Sequence, residues 1–191
     1  MITSYTFPYT KIVNRIVINF KVGNPGEDIT ASPEYKALWD TGATITCISQ
    51  ELATKLALMK VDETLINGAN NVPFKADVFC VKLLMGKFEI PIHRVAALPM
   101  DNTGHDLIIG MDIITQGDLS ITNYEGKTVI TFRTPSLEKI DYTDELNKFK
   151  SILNEHNIRV RKGIPDKCGC KSGKDYKNCH GKSVYAKNLG K

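Results

Sequence analysis

Long apolar runs are missing from this chain of 191 residues. The stretches present are short: the one within Asp106-Leu-Ile-Ile-Gly-Met-Asp112 is broken by Gly110 and closed by Asp112. A membrane-spanning helix needs roughly 20 apolar residues, so none is predicted. The opening Met-Ile-Thr-Ser-Tyr-Thr-Phe-Pro has no basic start followed by an apolar run, which argues against a secretory leader and makes the cytoplasm the expected compartment. Cysteines are few and odd in number, five in all, so a disulfide framework is not expected there. No repeat of 20–50 residues is visible. What remains is ordinary: 42% hydrophobic and 24% charged residues exclude a disordered or collagen-like chain. The length suggests one domain with something added.

The net charge of +4 is unevenly spread. Residues 1–133 hold 12 basic against 14 acidic side chains, whereas residues 134–191 hold 13 against 7. Cys47 and Cys80 stand apart among apolar neighbours, while Cys168, Cys170 and Cys179 crowd the tail. Both distributions divide the chain near residue 134.

The first part reads as β-rich. Arg15 to Val22, Tyr35 to Trp39 and Thr44 to Ile48 are dense in β-branched and aromatic residues. Ser49 can cap a short helix carrying Glu51, Leu52 and Leu56. Leu65 to Val72 looks like a hairpin tip with Asn67, Gly68, Ala69 and Asn70 at its centre. Asp77 to Met85 and Phe88 to Ala97 flank Gly86-Lys87 as strands, and Leu119 to Ile121 and Lys127 to Phe132 form a further hairpin. Short strands separated by turns predict a mainly β barrel or sandwich. Beyond Thr134-Pro135-Ser136, Leu146, Phe149 and Leu153 recur at helical spacing, with Thr143 as the expected N-cap and Gly163 and Pro165 as the stop.

Asp40-Thr41-Gly42-Ala43 follows an apolar approach, Ala37-Leu-Trp39, and precedes a strand and a short helix. Leu107-Ile-Ile-Gly110 supplies an apolar-apolar-Gly segment much later. The tripeptide alone also fits a plain turn, and Asp40-Thr-Gly-Ala-Thr44 fits the phosphate loop of actin-like ATPases and sugar kinases. That second fold needs two such halves and a longer chain. Taken together, the motifs over about residues 12–133 resemble the retropepsin-like aspartic proteases. The resemblance implies a closed β-barrel with one lobe per chain. It implies that Asp40 is the catalytic acid, with Thr41 and Gly42 positioning it. It also implies that the hairpin at Asn67, Gly68, Ala69 and Asn70 is a substrate-binding flap, and that Asp106 to Asp112 braces the loop ahead of a short helix at Ile113 to Gln116. Asn70 and Asn71 stand where that family commonly has glycine. An aspartic dyad needs two carboxyl groups, and the chain has one Asp-Thr-Gly, so a twofold homodimer is expected.

Cys168, Cys170, Cys179 and His180 make up a full tetrahedral donor set for zinc, closed to water and therefore structural. The string Cys168-Gly-Cys-Lys-Ser-Gly-Lys-Asp-Tyr-Lys-Asn-Cys-His180 resembles the SEC-C motif, a zinc module of bacterial proteins. That likeness implies recruitment of a chaperone, the ribosome or an acidic protein or RNA surface through the surrounding lysines.

The expected organisation is a protease domain over residues 1–134, a linker and amphipathic helix over 135–163, and a zinc-binding module over 164–191. The expected function is a bacterial, homodimeric aspartic endopeptidase that needs no metal for catalysis. A catalytically silent dimeric adaptor acting through the tail is the alternative. His93, His105, Cys47, Cys80 and Trp39 are expected to be structural, and Asp112 to bond locally near the short helix.

Overall fold

Alternation of apolar and polar side chains shapes the sheet. In Ile16–Gly23, Ile18, Phe20 and Val22 are buried; in Glu34–Trp39, Tyr35, Ala37 and Trp39 are buried. Each strand thus turns every second side chain into one core. The computed structural model describes residues 2–67, 73–101, 103–161, 167, 168, 170, 172–175, 178 and 179. The elements in order are β1 (Thr3–Pro8), β2 (Ile16–Gly23), β3 (Glu34–Trp39), β4 (Cys47–Ser49), α1 (Gln50–Lys55), β5 (Lys60–Asn67), β6 (Pro73–Met85) and β7 (Phe88–Leu98). They continue with β8 (Leu107–Ile109), α2 (Met111–Ile114), β9 (Asp118–Thr122), β10 (Val129–Thr134) and α3 (Tyr142–Arg161).

The larger sheet runs β2-β3-β8-β4-β7-β6-β5, and β2 also pairs with β6 through Lys21↔Leu84, Val22↔Leu83 and Gly23↔Lys82. That extra pairing closes six strands into a ring and leaves β5 outside it, on β6. Of the barrel or sandwich that the strand spacing left open, the closed barrel implied by the resemblance is present. β8 lies between β3, to which it is parallel, and β4, to which it is antiparallel. This insertion brings the far Leu107–Ile109 segment beside the end of β3 and so positions the site.

A second sheet, β1-β10-β9, closes over the barrel. The ring of Phe132 from β10 sits 5.2 Å from Trp39 and 5.9 Å from Phe88. β1 has no counterpart among the expected strands. Its six residues pair with β10 from Thr3↔Thr134 to Pro8↔Val129, so its partner lies more than a hundred residues away in sequence.

Two local expectations shift. The run Thr44 to Ile48 is strand only from Cys47 to Ser49; Thr44 to Thr46 belong to the loop after Asp40. The short helix begins at Met111 rather than Ile113, because Gly110 leaves its carbonyl free for the amides of Ile113 (3.2 Å) and Ile114 (3.1 Å). Ser49 caps α1 as expected, accepting from the Leu52 amide at 3.1 Å.

The chain divides into two compact units, Met1–Glu138 and Lys139–Lys191. In the second, α3 is capped by Asp141, not Thr143. The Asp141 carboxylate accepts from the amides of Thr143 (3.1 Å) and Asp144 (3.2 Å), and its carbonyl accepts from Glu145 (3.1 Å). Asp141 lies just before the first free amides, whereas Thr143 is already inside the turn. Gly163 and Pro165, the expected stop, lie outside the described residues. No helix among the described residues is long and apolar enough to cross a membrane.

Candidate active site

Asp40 follows β3 directly, and its amide donates to the Ile109 carbonyl at 3.0 Å. The register Trp39↔Ile109 thus sets where the carboxylate emerges. Trp39 behind it is core, only 6% exposed, as expected. The chain then turns back on itself: Ala43 donates to the Asp40 carbonyl at 3.2 Å, and the Gly42 amide donates to Asp40 Oδ1 at 2.8 Å. A Cβ on Gly42 would stand 3.2 Å from that same oxygen. Asp40 is half-buried, while Thr41 and Gly42 are exposed. Among the described residues the Thr41 hydroxyl has no hydrogen-bond partner.

The brace is a backbone ladder. Met111 donates to the Ala43 carbonyl at 2.8 Å and Asp112 to that of Thr44 at 3.3 Å. Such close approach requires a glycine: a Cβ on Gly110 would fall 2.5 Å from the Ile45 carbonyl carbon and 2.6 Å from its oxygen. The requirement is steric, since Gly110 itself is extended with φ near −94°.

Thr46, fully buried, ties the two segments together. Its hydroxyl donates to Asp112 Oδ1 at 2.7 Å and accepts from the Gly110 amide at 3.1 Å, and its own amide donates to Asp112 Oδ2 at 2.9 Å. Asp112 Oδ1 also accepts from the Ile113 amide at 3.0 Å, the expected bond near the short helix, but its other two carboxylate bonds reach across to Thr46. Thr46 was not among the expected site residues; a threonine inside a β-branched run carries no motif that would mark it.

Elsewhere the expectations divide. His105 is held in its loop, with Nδ1 3.1 Å from Arg15 Nη2 and 3.2 Å from the Thr103 carbonyl oxygen. Cys47 is buried, and desolvation, helped by the Asp112 charge, pushes its thiol up to about 12. Cys80 is half-buried. The β5–β6 hairpin reaches its tip with Asn67↔Pro73. Gly68, Ala69 and Asn70 lie outside the described residues, as do Asn71 and His180.

In the tail, the Cys168, Cys170 and Cys179 sulfurs all lie within 4.8 Å of one another. A turn centred on Gly173 (φ 74°) brings them together, with Cys168 N donating to the Lys174 carbonyl at 2.8 Å and Lys167 paired to Asp175 at 3.0 Å. Cys170 Sγ and Cys179 Sγ are 3.6 Å apart. Two thiolates bound tetrahedrally to one zinc, each at about 2.3 Å, would stand about 3.8 Å apart, so these donors fit that ion. The Ser172 hydroxyl, 3.2 Å from Cys170 Sγ, and the Ser172 amide hold this thiol down to about 6, which favours the metal-binding thiolate.

Residues 29–116 match the family model described as gag-polyprotein putative aspartyl protease. The matched span, a little under half of the chain, contains the Asp40 loop, Thr46, Gly110 and Asp112. Among solved structures the chain is similar to a retropepsin-like aspartic protease from Rickettsia conorii, with 16% identity over 70% of this chain and 96% of that one, at a TM-score of 0.44. It is also similar to EIAV protease complexed with the inhibitor HBY-793, with 18% identity over 53% and 86%, at a TM-score of 0.38. No curated protein matches the sequence.

Proposed function

We propose that this chain is an aspartic endopeptidase whose active site forms between two copies. The observation that carries the reading is the Asp40 loop. A carboxylate oxygen is held at 2.8 Å by the Gly42 amide, on a loop braced across the barrel through Gly110. The family match over residues 29–116 supports it.

Peptide hydrolysis needs a base to activate water and an acid to protonate the substrate. Two carboxyl groups about 3 Å apart cannot both ionise and so share one proton. The ionised member accepts a proton from water as the water attacks the peptide carbonyl, and the protonated member donates to the carbonyl oxygen. Proton transfer to the nitrogen then releases the amine. One chain provides one such loop, and Asp112 is committed to Thr46, so a second Asp40 completes the pair. Thr41, exposed beside it, has a hydroxyl free to bond across the twofold axis. The hairpin around Asn67, Gly68, Ala69 and Asn70 would cover the bound peptide.

In the same proposal Cys168, Cys170 and Cys179, with His180 as fourth donor, hold a structural zinc ion. When bound, the ion supplies folding energy to a segment without a core of its own, and it takes no part in hydrolysis. The lysines around it would serve to recruit an acidic partner: a chaperone, a ribosomal surface or RNA.

The test is cleavage of a diverse peptide library from acid to neutral pH by wild type and Asp40→Asn. Wild-type cleavage that the substitution abolishes supports the reading. Cleavage that survives Asp40→Asn refutes it, and no cleavage by either protein at any pH favours the adaptor.

A further inference from the structure

The proposed homodimer needs a surface that holds two copies together, and the first and last strands, β1 and β10 of the second sheet, are already paired to each other. The helix beyond the barrel supplies a different candidate. On α3, Tyr142, Leu146, Phe149 and Leu153 follow a 4-3-4 spacing, the alternation of a two-stranded coiled coil. At 3.6 residues per turn these four side chains fall within an arc of about 60°. Tyr142 is 65% and Leu146 38% exposed, while Phe149 and Leu153 are half-buried within the single chain. Asp144, Asn147, Lys148, Ser151 and Asn154 occupy the opposite, exposed side.

The charges flanking the stripe discriminate between orientations. With Leu146 and Leu153 at the a positions and Tyr142 and Phe149 at d, Glu145 takes g and Lys150 takes the following e. In a parallel, in-register pair each Glu145 meets the Lys150 of the other helix, giving two opposite-charge contacts. Within one helix the two are five residues apart and cannot meet. Among the described residues neither has an ion-pair partner.

We infer that α3 binds α3 of a second copy of this chain, parallel and in register, and so helps hold the dimer in which the Asp40 pair forms. The need for that second copy rests on the protease reading; the stripe and its flanking charges do not. A parallel pair has a twofold axis along the coil, the symmetry that a shared aspartic dyad demands.

The experiment is charge complementation in the full-length protein. Sedimentation equilibrium would give the dimer Kd of wild type, Glu145→Lys, Lys150→Glu and an equimolar mixture of the two variants. Each variant alone replaces two attractions by two repulsions, and its Kd should rise about 3- to 10-fold. The mixture restores both attractions and should return to within about twofold of wild type. Leu146→Asp, which places a charge in the seam, should raise Kd at least about 10-fold. It should also make specific cleavage activity rise with enzyme concentration.

Equal Kd values for all four proteins overturn the inference, as does a mixture no tighter than either variant. If that happens while Asp40→Asn still abolishes cleavage, the helix pairing fails and the protease reading stands. If complementation is seen while Asp40→Asn cleaves normally, the protease reading fails and the pairing stands.

Discussion

Replacing Gly110 by alanine should separate the two roles of its neighbourhood, fold and catalysis. The added Cβ would meet the backbone of Ile45 at 2.5 and 2.6 Å and the Ala43 carbonyl oxygen at 3.0 Å. These are backbone atoms within a ladder, so no side-chain rotation relieves the clash. Overpacking of this kind costs about 1–3 kcal/mol. If the loop yields, the bonds from Met111 to Ala43 and from Gly110 to Thr46 lengthen, each worth about 1 kcal/mol. The expected destabilisation is therefore about 2–4 kcal/mol, read as a fall in the urea midpoint with an unchanged slope. The loop that yields carries Asp40, and a displacement near 1 Å at a reacting group costs about 100-fold in rate. kcat/KM should thus fall about 100-fold, measured well below the unfolding midpoint. Ile113→Val is the control: it trims the buried core by about 1 kcal/mol without touching the loop, and should leave kcat/KM within about twofold. A Gly110→Ala protein that loses stability but keeps wild-type kcat/KM would refute the claim that this brace sets the position of Asp40.

Acid should loosen the segment that follows β10. The Ser136 hydroxyl, the Leu137 amide and the Arg133 guanidinium all bond the Asp118 carboxylate and hold its pKa well below the usual carboxylate range. A lowered folded pKa means stability that is present above the unfolded value and lost as pH falls toward the folded one. The midpoint difference between wild type and Asp118→Asn should therefore be large at pH 6 and shrink between about pH 4 and pH 2; a constant difference would contradict this. With a chelator present, to remove any metal, Cys170 should react with a disulfide reagent fastest of the five thiols, its thiol being held near 6. Cys47, buried and pushed up to about 12, should react only on unfolding. Peptide mapping of a partial labelling reaction reads the order, and early labelling of Cys47 would refute it.

Features written in local sequence were legible in advance. The Ser49 cap, the hairpin leading to Asn67 and the strand ends at Gly86 depend on neighbours, and the structure has them where expected. The Asp40 loop and the Gly110 segment were readable as a pair because each has a distinctive composition. What the sequence concealed was long-range. β1 reads as an ordinary polar-apolar alternation, and its strand exists because β10 supplies an edge far along the chain. Thr46 looks like one more β-branched residue, and its role appears once β8 and α2 are laid against the loop. The cap of α3 was misplaced by two residues because aspartate and threonine are both good caps, and only the backbone decides between them.

The position of β8 accounts for the close geometric constraint on the Asp40 loop. Inserted between β3 and β4, it is, among the described residues, the one strand touching both ends of the Asp40 loop: its Ile109 carbonyl binds Asp40, and its pairing with Cys47 fixes the exit. The loop is thereby clamped at both feet, with Thr46 and Gly110 crossing between them. A barrel closed by β2 on β6 resists shear in those clamping strands, because sliding one strand would break register around the whole ring. The free part of the loop, Thr41 to Gly42, is left exposed on a rigid base. This is the arrangement that the proposed shared active site would require: each copy would have to present its carboxylate already oriented, since neither chain could adjust the other's geometry after docking.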